Sequence, residues 1–174
     1  MVKQSFDVQN CVDAIDWQIL EVLQDDGRTS FTELGRRIGM STPAVAERVR
    51  QLEAAGVIRG YRADLDLARV GRPLLAFVRM SVVGDVLARI TETVRKMPEV
   101  LECHRGTGAD SFIAKVAVAS VEDLERLIDR LTPFGTTSTS IVLSTPVPRR
   151  AVASPAQVRA SGADPAVKRG RKPR

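Results

Sequence analysis

Residues 30–53 read Ser30-Phe31-Thr32-Glu33-Leu34-Gly35-Arg36-Arg37-Ile38-Gly39-Met40-Ser41-Thr42-Pro43-Ala44-Val45-Ala46-Glu47-Arg48-Val49-Arg50-Gln51-Leu52-Glu53. Two helices joined by a tight turn are written into this stretch. Ser30 and Glu33 match the Ser-x-x-Glu capping box that opens a helix. Phe31, Leu34 and Ile38 then share one side. Gly39 comes directly after, where a sharp reversal needs a residue free of a Cβ. Ser41 or Thr42 caps the next helix, and Pro43 sits in its first turn, where a missing N–H costs little. Val45, Val49 and Leu52 face inward, and Gly56 closes the helix. The outward face is left with Ser41, Thr42, Ala44, Glu47, Arg48 and Gln51.

That face has the character of a recognition helix, which presents its N-terminal residues to base edges in the major groove. Double-stranded DNA is the expected partner. Thr42, Ala44, Glu47 and Arg48 are expected in the groove, with Ser41 beside them at the helix start. Arg28, Arg37 and Arg50 are expected on phosphates. Upstream, a first helix starts near Asp13 or Asp16, whose carboxylates favour the positive end of its dipole. Ile15, Ile19, Val22 and Leu23 form its apolar face. Asp25-Asp26-Gly27 ends it, with a left-handed Gly27. Downstream, residues 57–66 suggest an extended connector.

Charge supports this placement once it is divided. The chain has 174 residues and a formal net charge of +5. From Arg149 onward there are eight Lys or Arg and one acid, whereas the rest of the chain has eighteen bases and twenty acids. Within the body, residues 1–27 carry one base and six acids, and residues 28–62 carry seven bases and three acids. The basic stretch coincides with the helix pair, as a phosphate backbone would select. No apolar run approaches the ~20 residues of a membrane span, and Cys11 and Cys103 make no disulfide framework. A cytoplasmic protein with no membrane partner is expected.

The second half reads as β-α-β-β-α-β. Leu74 to Val83 is an almost continuously apolar strand, expected to be buried on much of both faces. Val86, Ile90, Val94 and Met97 form a helical stripe ended by Pro98. Val100 to Gly106 and Phe112 to Ala119 are strands around turn chemistry at 107–110. Val121, Leu124, Leu127, Ile128 and Leu131 make a second helix, and Thr136 to Ser144 a last strand. The class is α+β: a helix-turn-helix domain at 1–62, a linker at 63–73, and a ferredoxin-like βαββαβ domain at 74–148. Two helices cover one face of such a sheet. The other face calls for a second copy of the chain, so a homodimer is expected.

Four pieces in order carry a family resemblance: Asp13-x-x-Asp16-x-x-Ile19-Leu20, Glu47-Arg48-Val49-Arg50-x-Leu52-Glu53, Gly56-Val57-Ile58-x-Gly60-Tyr61 and Glu102-Cys103-His104-x-x-x-Gly108. Over about residues 12–146 the chain resembles the Lrp/AsnC transcriptional regulators. The resemblance implies a ligand-binding ferredoxin-like domain, dimers that often assemble into octamers, and a small effector, usually an amino acid, held between dimers. It places the effector at Gly106, Thr107, Gly108, Asp110 and Ser111, and on the last strand at Thr137, Thr139 and Ser140. Glycine-freed backbone N–H groups can hold a carboxylate, and Asp110 can accept from an ammonium group. The same residues also suit a plain hairpin turn and ordinary β-propensity.

His104 is the single histidine. Beside Cys103 on a strand it points to the opposite face, so the pair is a poor chelate. No metal, no cofactor and no catalytic residue is expected. The two competing readings are an architectural DNA-binding protein with little ligand control, and an enzyme of the sirohaem-decarboxylase kind, which shares this layout but depends on histidines. The tail at 149–174 is expected to be disordered. Its end, Lys168-Arg169-Gly170-Arg171-Lys172-Pro173-Arg174, resembles an AT-hook with Lys172 interrupting the core. Arg169, Gly170 and Arg171 are its expected DNA contacts.

Overall fold

The structure is a computed structural model that describes residues 12–82, 84 and 86–162. The chain divides into two compact units. One runs to Ala63 and resumes at Arg149; the other spans Asp64 to Pro148. Among the described residues, 64–73 group with the second unit and 149–162 with the first.

The first unit contains α1 (Ala14–Asp25), α2 (Phe31–Ile38) and α3 (Thr42–Ala54). Asp13 caps α1 through a complete capping box: its carboxylate accepts from the Asp16 N–H, and the Asp16 carboxylate accepts from the Asp13 N–H. Ser30 caps α2 from one side only, because Glu33 turns to Arg36 and Arg37 instead of returning to the Ser30 N–H. The reversal between α2 and α3 falls on Gly39, in the left-handed region at φ 72°. Ser41 caps α3, with Pro43 in its first turn. Ile19, Leu34, Val45, Val49 and Leu52 meet in the core, with Leu20, Val22, Leu23 and Ile38 around them. Two details depart from expectation. Ile15 is 37% exposed and lies off the apolar face of α1. That helix ends on an extended Asp26, and Gly27 has no positive φ; a Cβ there would crowd the Tyr61 ring at 3.2 Å.

The second unit contains β1 (Leu74–Val82), α4 (Leu87–Arg95), β2 (Val100–Arg105), β3 (Phe112–Val118), α5 (Val121–Leu131) and β4 (Gly135–Ile141), with a short 3-10 turn at Thr132–Phe134. The sheet order is β2-β3-β1-β4, every neighbouring pair antiparallel, which is the split βαβ arrangement. Ala76, Val78 and Met80 of β1 pack with Phe112, Ala114 and Val116 of β3 against Ile90, Val94, Leu124, Leu127 and Leu131. β1 is therefore buried on one face, not on both: Phe77 and Arg79 look away from the helices. Register puts Phe77 beside Lys115 and Ser140, and Arg79 beside Ile113 and Ser138. Phe77 and Ile113 stay 38% and 36% exposed on this uncovered face.

The expected disordered tail departs most. Its described residues carry a helix, α6 (Pro155–Gly162), that packs with the first unit. Arg169, Gly170 and Arg171 lie outside the described residues, as does Cys11.

Candidate nucleic-acid interface and effector loop

The first turn of α3 stands clear of its own unit. Ser41 and Thr42 are exposed and Ala44 is half-buried, while Val45, Val49 and Leu52 face the core. Ser41 Oγ accepts from the Ala44 N–H at 3.4 Å, and Thr42 Oγ1 lies 3.4 Å from Thr32 Oγ1. A cap that presents small hydroxyls outward leaves room for the backbone to approach a groove closely.

Two glycines set how closely α2 and α3 approach. Gly39 supplies the left-handed turn. Gly35 supplies space: a Cβ there would sit 2.5 Å from the Met40 carbonyl oxygen. Gly39 is the expected turn residue; Gly35 is not among the expected residues, although the Gly35-x-x-x-Gly39 spacing is plain in the sequence.

Arg48 is placed differently from its expected role at base edges. Its Nη1 donates to Asp13 Oδ2 at 2.7 Å and to Asp16 Oδ1 at 2.8 Å. Its side chain is 29% exposed, and that of Asp16 is 12% exposed. One guanidinium thus ties the middle of α3 to the capping box of α1. The Asp16 N–H first and the Arg48 guanidinium second hold the Asp13 carboxyl below its ordinary value. The acidic pair and the arginine were legible separately, but no local spacing links positions thirty-five residues apart.

The other arginines remain at the surface. Arg37 and Arg36 share Glu33, whose carboxyl is lowered to about 2 by hydrogen bonds from Arg36 and then Arg37. Arg50 pairs with Glu47 at 2.6 Å, and Gln51 donates to the same carboxylate. Arg50 and then Gln51 hold the Glu47 carboxyl below its ordinary range. Arg28 is exposed and makes no ion pair among the described residues; only its backbone N–H is engaged, by Asp26. Exposed pairs of this kind contribute little to stability, so phosphate oxygens can take over these guanidinium groups.

In the second unit, the loop between β2 and β3 is pinned to the end of β1. Ser81 Oγ donates to the Ala109 carbonyl at 2.7 Å and lies 3.5 Å from Asp110 Oδ1. The Ser111 N–H donates to the Met80 carbonyl at 2.8 Å, and Ser111 Oγ accepts from the Val82 N–H at 3.3 Å. Gly106 closes the hairpin by donating to the Ser111 carbonyl. Gly106, Thr107 and Gly108 are exposed, and Gly108 has a φ of 106°. Ser81, absent from the residues expected from sequence, shares the pinning of this loop with Ser111. The β4 residues do not converge on one face. Thr137 and Thr139 pair with Met80 and Val78, on the helix side, whereas Ser140 pairs with Phe77 on the uncovered side. Cys103 and His104 likewise register with Ala114 and Ile113 on opposite faces. Among the described residues no three His, Cys, Asp or Glu side chains gather as metal ligands, and no helix is long and apolar enough to cross a membrane.

A helix-turn-helix with an open first turn, together with a ferredoxin-like unit bearing a pinned glycine loop, defines a two-unit DNA-binding regulator. Comparison with known sequences agrees across both units. Residues 12–53 match the AsnC-type helix-turn-helix domain, and residues 75–152 match the Lrp/AsnC ligand binding domain. The chain belongs to the Lrp/AsnC family of transcriptional regulators, and so is a regulator rather than an enzyme. It is 35% identical over 133 residues to the HTH-type transcriptional regulator LrpC of Bacillus subtilis, covering 76% of this chain and 92% of that protein. It is 35% identical over 139 residues to the leucine-responsive regulatory protein of Escherichia coli, covering 76% and 85%. Among solved structures, Bacillus subtilis LrpC superposes with a TM-score of 0.76 at 34% identity, covering 79% of this chain and 99% of the other. A Neisseria meningitidis transcriptional regulator solved as its L-Met complex gives 0.77 at 31% identity, covering 81% and 96%.

Proposed function

We propose that this regulator reads specific DNA sites with the first turns of α3 and is controlled by a small amino acid bound in its second unit. Ser41, Thr42, Ala44 and Glu47 face base edges, where a carboxylate such as Glu47 suits a cytosine amine. Arg28, Arg37 and Arg50 contact phosphates. Arg48 acts indirectly, by holding α3 against α1. The effector site centres on Gly106, Thr107, Gly108, Asp110 and Ser111, with β4 beside it. Ser81 keeps that loop in shape. The uncovered sheet face carrying Phe77 and Ile113 joins two copies into a dimer, which matches the two-fold symmetry of paired half-sites. Assembly of dimers into an octamer would place effector sites between them.

The observation that carries this reading is the exposed first turn of α3 above a fully buried inner face. Support for the effector comes from the ligand-binding-domain match and from the relative solved with L-Met. Genome-wide mapping of bound DNA tests the first part: a few phased sites are expected, and uniform coverage would favour an architectural protein. Thermal-shift screening of the twenty amino acids tests the second. Stabilisation by a subset is expected, and no stabilisation by any of them would overturn ligand control.

A further inference from the structure

The chain passes from the first unit to the second between residues 63 and 64, and residues 149–162 bring it back. Two segments therefore join the units instead of one. The returning segment is fastened to α1 by side-chain amides. Gln24 grips the Val152 backbone from both sides: its Nε2 donates to the carbonyl at 3.2 Å, and its Oε1 accepts from the N–H at 2.8 Å. Ser154, 8% exposed, opens α6 through a capping box with Gln157. Its Oγ accepts from the Gln157 N–H at 3.3 Å, and Gln157 Oε1 accepts from the Ser154 N–H at 2.8 Å. The Gln157 Nε2 then donates to Glu21 Oε1 at 2.7 Å. Glu21 and Gln24 lie one turn apart on α1, so one stripe of that helix holds the returning segment at two points. Val152 and Val158 stay 67% and 57% exposed, so amide hydrogen bonds rather than apolar burial hold it.

Such a fastening can release. Surface hydrogen bonds are individually weak, and a helix as short as the eight residues of α6 is marginal in water by itself, so α6 forms where it docks. Among the described residues no hydrogen bond runs from 149–162 to α2 or α3, and Ser41 and Thr42 stay exposed. The docked segment thus leaves the first turn of α3 uncovered, which argues against a blocking role. We propose that residues 149–162 are a releasable strap: docked on α1, they close a second connection between the units and restrict the freedom of the DNA-binding unit, so that α3 meets DNA with less freedom to lose. Motion already restrained in the free protein does not have to be frozen on binding, and a shorter effective tether raises the local concentration of α3 at its site. This inference rests on the reading of α3 as the DNA-binding helix.

Gln157→Glu separates docking from capping. A glutamate still serves the capping box with Ser154, but it sets a second carboxylate against Glu21, where like charges repel. Glu21→Gln combined with Gln157→Glu exchanges donor and acceptor and restores the contact at the natural net charge. Val158→Glu adds the same charge at an exposed position and serves as the control. These full-length proteins are compared by hydrogen exchange of the 158–162 amides and by fluorescence anisotropy on a mixed-sequence duplex across a salt series. Gln157→Glu is expected to raise exchange and to weaken binding roughly tenfold. The slope of log K against log salt is expected to stay the same, because no phosphate contact is lost. The exchanged pair is expected to return both readouts to their natural values, and Val158→Glu to leave both unchanged. Exchange unmoved by Gln157→Glu overturns docking on α1. Raised exchange with unchanged affinity overturns the restraint, and so does an equal loss of affinity in Val158→Glu or a loss that the exchanged pair does not recover. A natural chain that binds no duplex at all overturns the DNA-binding reading beneath the proposal, and the exchange result then still decides whether the strap docks.

Discussion

At the scale of single residues, Gly35 and Gly39 are needed for different reasons, and substitution separates them. Gly39 has φ 72° and open space where a Cβ would go, so Gly39→Ala incurs only left-handed backbone strain, about 1–2 kcal/mol. Gly35→Ala would drive a methyl into the Met40 carbonyl, which forces α2 and α3 apart at a cost of about 1–3 kcal/mol or more. Urea unfolding monitored by Trp17, the single tryptophan, should rank Gly35→Ala as the more damaging. It should also show the larger loss of DNA affinity, because the turn sets the helix spacing. Arg48 and Arg28 separate in a second way. Arg48→Ala removes the tie between α3 and both Asp13 and Asp16 and should lower the melting temperature by several degrees. Arg28→Ala should leave melting unchanged while weakening DNA binding about equally on every sequence and reducing the salt slope by about one. A melting temperature unmoved by Arg48→Ala would return that side chain to the groove.

At the scale of elements, α1 and α2 are fastened by carboxylates whose protonation can be monitored. Asp13 lies below its ordinary value of 3.8, and Glu33 is lowered from 4.5 to about 2. A group depressed on folding stabilises the native state fully above its unfolded value, and that contribution is lost as pH falls through the folded one. The first unit should therefore lose thermal stability as pH falls from 4.5 toward about 2, as read by Trp17 fluorescence melts. Asp13→Asn with Glu33→Gln should melt lower at neutral pH and fall less on acidification; an equal fall would place the acid sensitivity elsewhere. Elements of this kind were legible where the signal is local. Caps at Ser30 and Ser41, the turn at Gly39, and the buried stripes of α3 and α5 all arise from spacing of three or four residues. Pairing across long separations stayed hidden. The Arg48 tie, the Ser81 pin on the 106–111 loop, and the register that sends Thr139 and Ser140 to opposite faces arise only when distant segments meet. The helix α6 was hidden for the same reason: Ala-, Pro- and Ser-rich sequence has no apolar periodicity, and its contacts run to Gln24 and Glu21 far upstream.

At the scale of the whole molecule, the sheet of the second unit has one face built for helices and one left open. The helix side is filled by thirteen buried residues. The open side mixes apolar Phe77 and Ile113 with Arg79, Lys115, Glu102, Ser138 and Ser140. Lys115 is satisfied by Glu102 at 3.3 Å, and Arg79 reaches Ser140 at 3.5 Å. The Lys115–Glu102 pair opposes burial of the face less than an unpaired charge would, and the phenyl ring at the centre of β1 supplies an apolar anchor of the kind that dominates interfaces. Phe77→Glu would set a carboxylate on this face, near the existing Lys115. In a lone subunit that change is nearly free, because the position is already 38% exposed and an acid beside Lys115 is not repelled. Across a two-fold axis it would bury a charge from each copy. Sedimentation at micromolar concentration should therefore show the natural chain as a dimer or larger and Phe77→Glu as a folded monomer with an unchanged circular dichroism spectrum. DNA affinity should fall with it, since two half-sites can no longer be held at once. A Phe77→Glu protein that still sediments as a dimer would move the interface to another surface.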